Sequence, residues 1–246
     1  MFIYSIIKSE GSVSDKIIIA LAFIVVAVFS IVIHEVAHGY VAKLNGDLTA
    51  KLRGRLTLNP QAHLDPIGVV MVLLVGFGWA KPVPINPNNF TKYKRGMLTV
   101  SIAGISANLI IAGICLLLYF LLYPLILQWI YSSLSTNSAI ISVFAEFLYA
   151  ILILGIRLNF MLAFFNLLPI YPLDGYNIIN TLLPHNNGYQ RFMIRYGSLI
   201  LIGLIIIGNI SNAFGFPWLN VFSLFGNLIT ELINIISSES IAAFLL

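Results

Sequence analysis

Seventeen residues from Ile17 to Ile33 carry no charge and are mostly apolar, and the five that follow them read His34-Glu35-Val36-Ala37-His38. A helix needs about 20 apolar residues to cross a bilayer, so a membrane span is predicted from Ile17 to about Leu44. Residues four apart share a face of a helix. Both imidazoles can therefore reach one metal ion while Glu35 projects beside them toward a water on that metal. A water-activating zinc site requires this geometry. Ionisable side chains inside an apolar span are costly in lipid, and three within five residues mark a functional site rather than packing.

Composition extends the membrane reading to the whole chain. Of 246 residues, 59% are hydrophobic and only 9% charged, far outside the range of a soluble domain. Eight of the thirteen Lys and Arg residues lie between Lys43 and Arg95, which reads as a membrane-facing loop and not as a nucleic-acid surface. The single cysteine, Cys115, permits no intramolecular disulfide and no cysteine-based zinc site, so a metal must be held by His and carboxylate. Lys8 and Lys16 precede the first apolar run as in a signal peptide. No small-residue cleavage pattern follows that run, and it carries the metal motif, so it is expected to remain in the mature protein.

The expected fold is a single all-α polytopic membrane domain over residues 1–246. It has about five transmembrane helices, at about 17–44, 97–123, 147–168, 197–214 and 218–236. The last two are separated by a break rich in Asn, Gly and Pro near 208–217. Between the first two spans, Lys51 to Leu58 alternates polar and apolar residues as a half-wet strand does, and Ala80 to Asn86, with prolines at 82 and 84, suits an edge partner. A small β-hairpin is predicted from this pair. The apolar stretch 66–79 is only fourteen residues long and fits a re-entrant loop better than a crossing. Basic residues flank it on both sides, whereas Pro124 to Ser138 has no charge, so the positive-inside rule puts both flanks in the cytoplasm.

A second motif, Asn166-Leu167-Leu168-Pro169-Ile170-Tyr171-Pro172-Leu173-Asp174-Gly175, ends the third expected span. H-E-x-x-H on one span with N-x-x-P-x-x-P-L-D-G at the end of a later one resembles the site-2 protease family of intramembrane zinc metalloproteases. The stretches Thr57 to Gly68 and Gly78 to Pro87 are similar to the compact prokaryotic branch without a PDZ domain. Ala103-Gly104-Ile105-Ser106-Ala107-Asn108 resembles the family's A-G-P-x-x-N, with Ile105 where proline is usual. The resemblance implies that Asp174 is the third zinc ligand beside His34 and His38, and that Glu35 is the general base. It further implies a transmembrane or membrane-proximal protein substrate, in a prokaryotic cell membrane, with the site toward the cytoplasm. Sharing one zinc requires an even number of crossings between the two motifs, which agrees with re-entry at 66–79.

Other polar residues admit two readings each. Asn166 can hydrogen-bond an extended substrate or terminate its helix. Asn108 can bind substrate or pack between helices. His63 can support a ligand or gate access, or simply form a turn after Asn59-Pro60. Arg157, near mid-membrane, should pair with a carboxylate or line water. Alternatives to the protease are a silent homologue that binds membrane helices without cutting and a membrane zinc protease of another family. An intact Glu35 argues against the first.

Overall fold

The computed structural model describes residues 12–75, 78–136, 138–184, 186–213 and 220–245. Helix α1 spans Val13–Leu44 and begins in a reciprocal cap: the Ser12 hydroxyl accepts from the Asp15 amide while the Asp15 carboxylate accepts from the Ser12 amide. The chain then forms a short helix α2 (Thr49–Leu52), a 3-10 turn (Pro60–Ala62), helix α3 (Pro66–Val75) and a second 3-10 turn (Pro87–Asn89). Two long helices follow, α4 (Tyr93–Thr136) and α5 (Ala139–Leu167), then α6 (Asp174–Leu182), α7 (Gly188–Ala213) and α8 (Val221–Leu245).

Helices α1, α4 and α5 pack against one another, α6 lies on α4 and α5, and α8 covers the far part of the same pair. The outward faces stay apolar: Ile17, Leu21, Phe29, Leu117, Ile140 and Leu199 are all exposed. A helix that is apolar on its packed face and on its outer face belongs in lipid. Among the described residues four helices are long and apolar enough to cross a membrane, in α1, α4, α5 and α7; in α8 the apolar part, Phe222–Ser238, is shorter. The chain is thus an all-α polytopic membrane protein with four candidate spans and a shorter fifth apolar helix where about five spans were expected.

Several boundaries depart from the sequence expectation. The chargeless stretch 124–136 is not a loop, because α4 continues through Pro124 to Thr136. Proline removes one amide donor, but the Leu-, Ile- and Trp-rich residues around it carry the helix on. Of the break expected near 208–217, residues 208–213 are helical in α7, and 214–217 lie outside the described residues.

The expected β-hairpin is corrected. Lys51 and Leu52 are helical, and among the described residues there is no strand, only an isolated antiparallel bridge between Leu64 and Ala80. The alternation gives way to a turn at Asp47. Its carboxylate accepts from the Thr49 amide and hydroxyl, a local turn just ahead of α2. Residues 80–86 are extended, but they are fastened to 53–58 by a side chain instead of a ladder: the Arg55 guanidinium donates to the carbonyls of Lys81 (2.7 Å) and Pro82 (3.1 Å).

Helix α3 is ten residues long, about 15 Å at 1.5 Å per residue, roughly half the 30 Å core of a bilayer. Its flanks meet, since the Lys81 amide donates to the His63 carbonyl at 2.8 Å beside the Leu64–Ala80 bridge.

Candidate metal centre

His34 and His38 occupy successive turns of α1, and Asp174 is the first residue of α6. Their ligand atoms form a small triangle. The two Nε2 atoms are 3.0 Å apart, and the Asp174 Oδ2 lies 3.5 Å from that of His34 and 3.3 Å from that of His38. Tetrahedral coordination at 2.0–2.1 Å separates ligand atoms by about 3.3 Å, so the three can hold one ion of zinc's size. Asp174 Oδ2 is buried and has no hydrogen-bond donor, an orphan that a cation would satisfy.

The imidazoles are turned so that Nε2 faces this point because each Nδ1 is held from behind. His34 Nδ1 donates to Asn108 Oδ1 at 2.6 Å, and His38 Nδ1 donates to the Val100 carbonyl at 2.8 Å, both partners being on α4. Outer partners of this kind fix ring orientation and tautomer in metal sites. Close approach of the helices is needed for both bonds, and Gly104 permits it. A Cβ there would overlap His38 Nε2 and His34 Cε1.

Asp174 is delivered by a tight path between α5 and α6. Ile170 and Leu173 are buried with Leu201 of α7, and the Tyr189 hydroxyl donates to the Pro169 carbonyl at 2.7 Å. A Cβ on Gly175 would collide with the carbonyls of Leu167 and Leu168, so this turn tolerates only glycine. Glu35 sits beside the triangle on α1, and its Oε2 accepts from the Val83 amide at 2.7 Å, on the extended segment 80–86.

The remaining candidates lie at different distances from this chemistry. Asn108 is fully buried, its oxygen taken by His34 and its amide donating to Asn159 Oδ1 at 2.9 Å. Asn166 is half-buried in the last turn of α5 and donates to the Leu162 carbonyl of its own helix at 3.0 Å. His63 is fully buried, with Nε2 on the Thr57 carbonyl at 2.8 Å, and holds the loop together. Arg157, expected to pair with a carboxylate or line water, is exposed, and its partner is the Thr230 hydroxyl of α8 at 3.2 Å. Three contributors escaped the sequence reading: Gly104, Ser30 and Asn159. The available signal for Asn159 was a polar residue in the middle of an apolar span.

Beyond the triangle, Asp47 anchors the loops that carry Val83. Its buried carboxylate also accepts from the Asn86 amide at 2.7 Å and from Asn89 Nδ2 at 2.8 Å. Burial alone would raise its pKa, but the bonds from Thr49, Asn86 and Asn89 outweigh that and hold it below the ordinary carboxylate value.

A family model described as Peptidase family M50 matches residues 22–204, most of the chain and both motifs. The chain belongs to peptidase family M50, the site-2 protease family. It is similar to "Putative zinc metalloprotease YwhC" of Bacillus subtilis, with 42% identity over 186 residues, 74% of this chain and 79% of that protein. It is also similar to "Putative zinc metalloprotease Rip2" of Mycolicibacterium smegmatis, 30% identical over 187 residues, 72% of this chain and 63% of that protein. No solved structure matches the chain significantly. This M50 member is a membrane zinc metalloprotease, a hydrolase whose cofactor is zinc.

Proposed function

We propose that this M50 protease is an intramembrane endopeptidase in which His34, His38 and Asp174 hold zinc, Glu35 is the general base, and the substrate is a transmembrane or membrane-proximal helix of another protein. The observation that carries the reading is the triangle of ligand atoms with edges of 3.0, 3.3 and 3.5 Å on helices of a membrane bundle. Bound there, zinc supplies Lewis acidity toward the scissile carbonyl and lowers the pKa of the attacking water. With Oε2 fixed by Val83, the other Glu35 oxygen takes a proton from that water and hands it to the departing amine nitrogen. Asn166 donates within its own helix, which leaves its Oδ1 to accept from an extended substrate.

The eight basic residues between Lys43 and Arg95, at the same end of α1 as the motif, support a site facing the cytoplasm of a prokaryotic cell membrane. The two His residues lie about 26 Å and more from Ile17 along α1, near that end of the span. The test is cleavage of a reconstituted single-span substrate by wild type and Glu35→Gln. The variant is expected to retain zinc and lose cleavage by at least about 10²-fold, the lower bound for a positioned base. Undiminished cleavage by Glu35→Gln would remove Glu35 from the mechanism.

A further inference from the structure

We infer that Asn159 is a positioning residue of the metal centre: through Asn108 it dictates which nitrogen of His34 carries the proton and which faces the metal. The inference rests on the zinc reading of His34 and extends it to a residue two hydrogen bonds away. Asn159 is fully buried on α5, and its Nδ2 lies 2.9 Å from the Gly155 carbonyl and 2.9 Å from the Ser30 hydroxyl on α1. Its Oδ1 meets Asn108 Nδ2 at 2.9 Å, and Asn108 Oδ1 meets His34 Nδ1 at 2.6 Å. Ser30 and His34 are one turn apart, so the four side chains close a ring across α1, α4 and α5.

The polarity of that ring has a single source. A backbone carbonyl only accepts, so the group facing Gly155 must be the Asn159 amide nitrogen. Flipping it would set oxygen against oxygen at 2.9 Å in a buried site. With Asn159 so oriented, its oxygen faces Asn108, which must answer with its own nitrogen. Asn108 then presents oxygen to His34, and the ring nitrogen facing it must carry the hydrogen. Nε2 is left with its lone pair on the metal side, the form a ligand requires. Were the amide chain free to reverse, Asn108 would offer nitrogen to Nδ1, and the proton would move to Nε2, where it blocks coordination. Each element here is determined by hydrogen-bond chemistry alone.

The experiment is a zinc-affinity cycle on the purified full chain, by chelator competition, with wild type, Asn159→Leu, Asn108→Asp and the double variant. Asn159→Leu keeps the volume and removes the orienting amide; zinc affinity should fall about 10–100-fold, the range for outer partners of metal-binding histidines. A carboxylate at 108 only accepts, so it needs no orientation from Asn159, whose Oδ1 would face it oxygen to oxygen. In the Asn108→Asp background Asn159→Leu removes that opposition, so zinc affinity should hold or rise, where a packing role of Asn159 would lower it again. Ring 15N shifts of His34 in the zinc-free wild type, at a pH where the ring is neutral, should show hydrogen on Nδ1 and a bare Nε2, a result that needs no variant to fold. Wild-type affinity in Asn159→Leu, an equal loss in both backgrounds, or hydrogen on Nε2 would each overturn the inference. Failure of wild type itself to bind zinc would instead overturn the metal-centre reading.

Discussion

Around the metal centre, the buried side chains of α1, α4 and α5 include the polar His38, Asn108, Asn159 and Ser30; farther along α4 and α5, where α8 packs, the cluster is Tyr119, Ile126, Ala145, Leu152, Ile156, Ile229 and Ile233. The first region is held by directional bonds of 2.6–2.9 Å and by a glycine that permits close approach. The second is held mainly by shape, with a Tyr119 to Ser237 hydroxyl contact at 2.7 Å and the Arg157 to Thr230 bond at its exposed edge. In lipid, apolar packing gains little from the hydrophobic effect, because acyl tails are as apolar as leucine. Hydrogen bonds specify one arrangement where dispersion tolerates several. The polar region should therefore be intolerant of small changes and the apolar region forgiving.

The largest effect is expected from one methyl group in the polar region. Gly104→Ala places a Cβ on both imidazoles, and zinc affinity should drop more than about 100-fold, beyond the loss from any outer partner. Metal content by elemental analysis reads this directly. Wild-type zinc content in Gly104→Ala would mean that the two regions do not differ in the way argued.

Next comes Asp47→Ala, which removes the buried carboxylate that accepts from the Asn86 amide, the Thr49 amide and Asn89. Unfolding in detergent should be easier by about 3 kcal/mol, the scale of losing bonds to a buried charge. The pH dependence has a definite sign. The folded pKa lies below the unfolded one, so the contribution is complete above the ordinary carboxylate pKa of about 3.9 and is lost as pH falls through the lower folded value. Asp47→Asn should flatten that acid limb while zinc affinity near neutrality changes little.

In the apolar region, Leu152→Ala should cost only about 1–2 kcal/mol, below the 2–5 usual for cores in water, because only the packing part of the loss remains. Zinc affinity should stay at the wild-type value. Tyr119→Phe should be smaller still, about 0.6 kcal/mol, the average for a hydrogen bond between membrane helices. A loss of zinc in either variant would show that the regions are coupled.

The same contrast explains what was legible in the sequence. Apolar runs and the His34–His38 spacing depend on local periodicity, so the apolar helices and the two imidazoles could be read directly. Asp174 is 136 residues beyond His38, and its role was implied by resemblance rather than by spacing. Lys51 to Leu58 misled because its alternation was judged alone, while Asp47, four residues earlier, makes a turn just ahead of a helix there. Gly104 and Asn159 matter through what lies across a helix interface, and a polar residue in an apolar span signals Asn159 without naming its partners. Arg157 was expected to pair with a carboxylate or line water, and the structure gives it a hydroxyl on α8 at an exposed position.

Zinc K-edge X-ray absorption on the purified full chain tests the central claim most directly, since its outer scattering counts imidazoles. The account predicts two imidazole nitrogens at about 2.0–2.1 Å with oxygen donors completing four ligands, and one imidazole in His34→Ala. Three imidazoles would bring a further histidine into the set and contradict a site made of His34, His38 and Asp174.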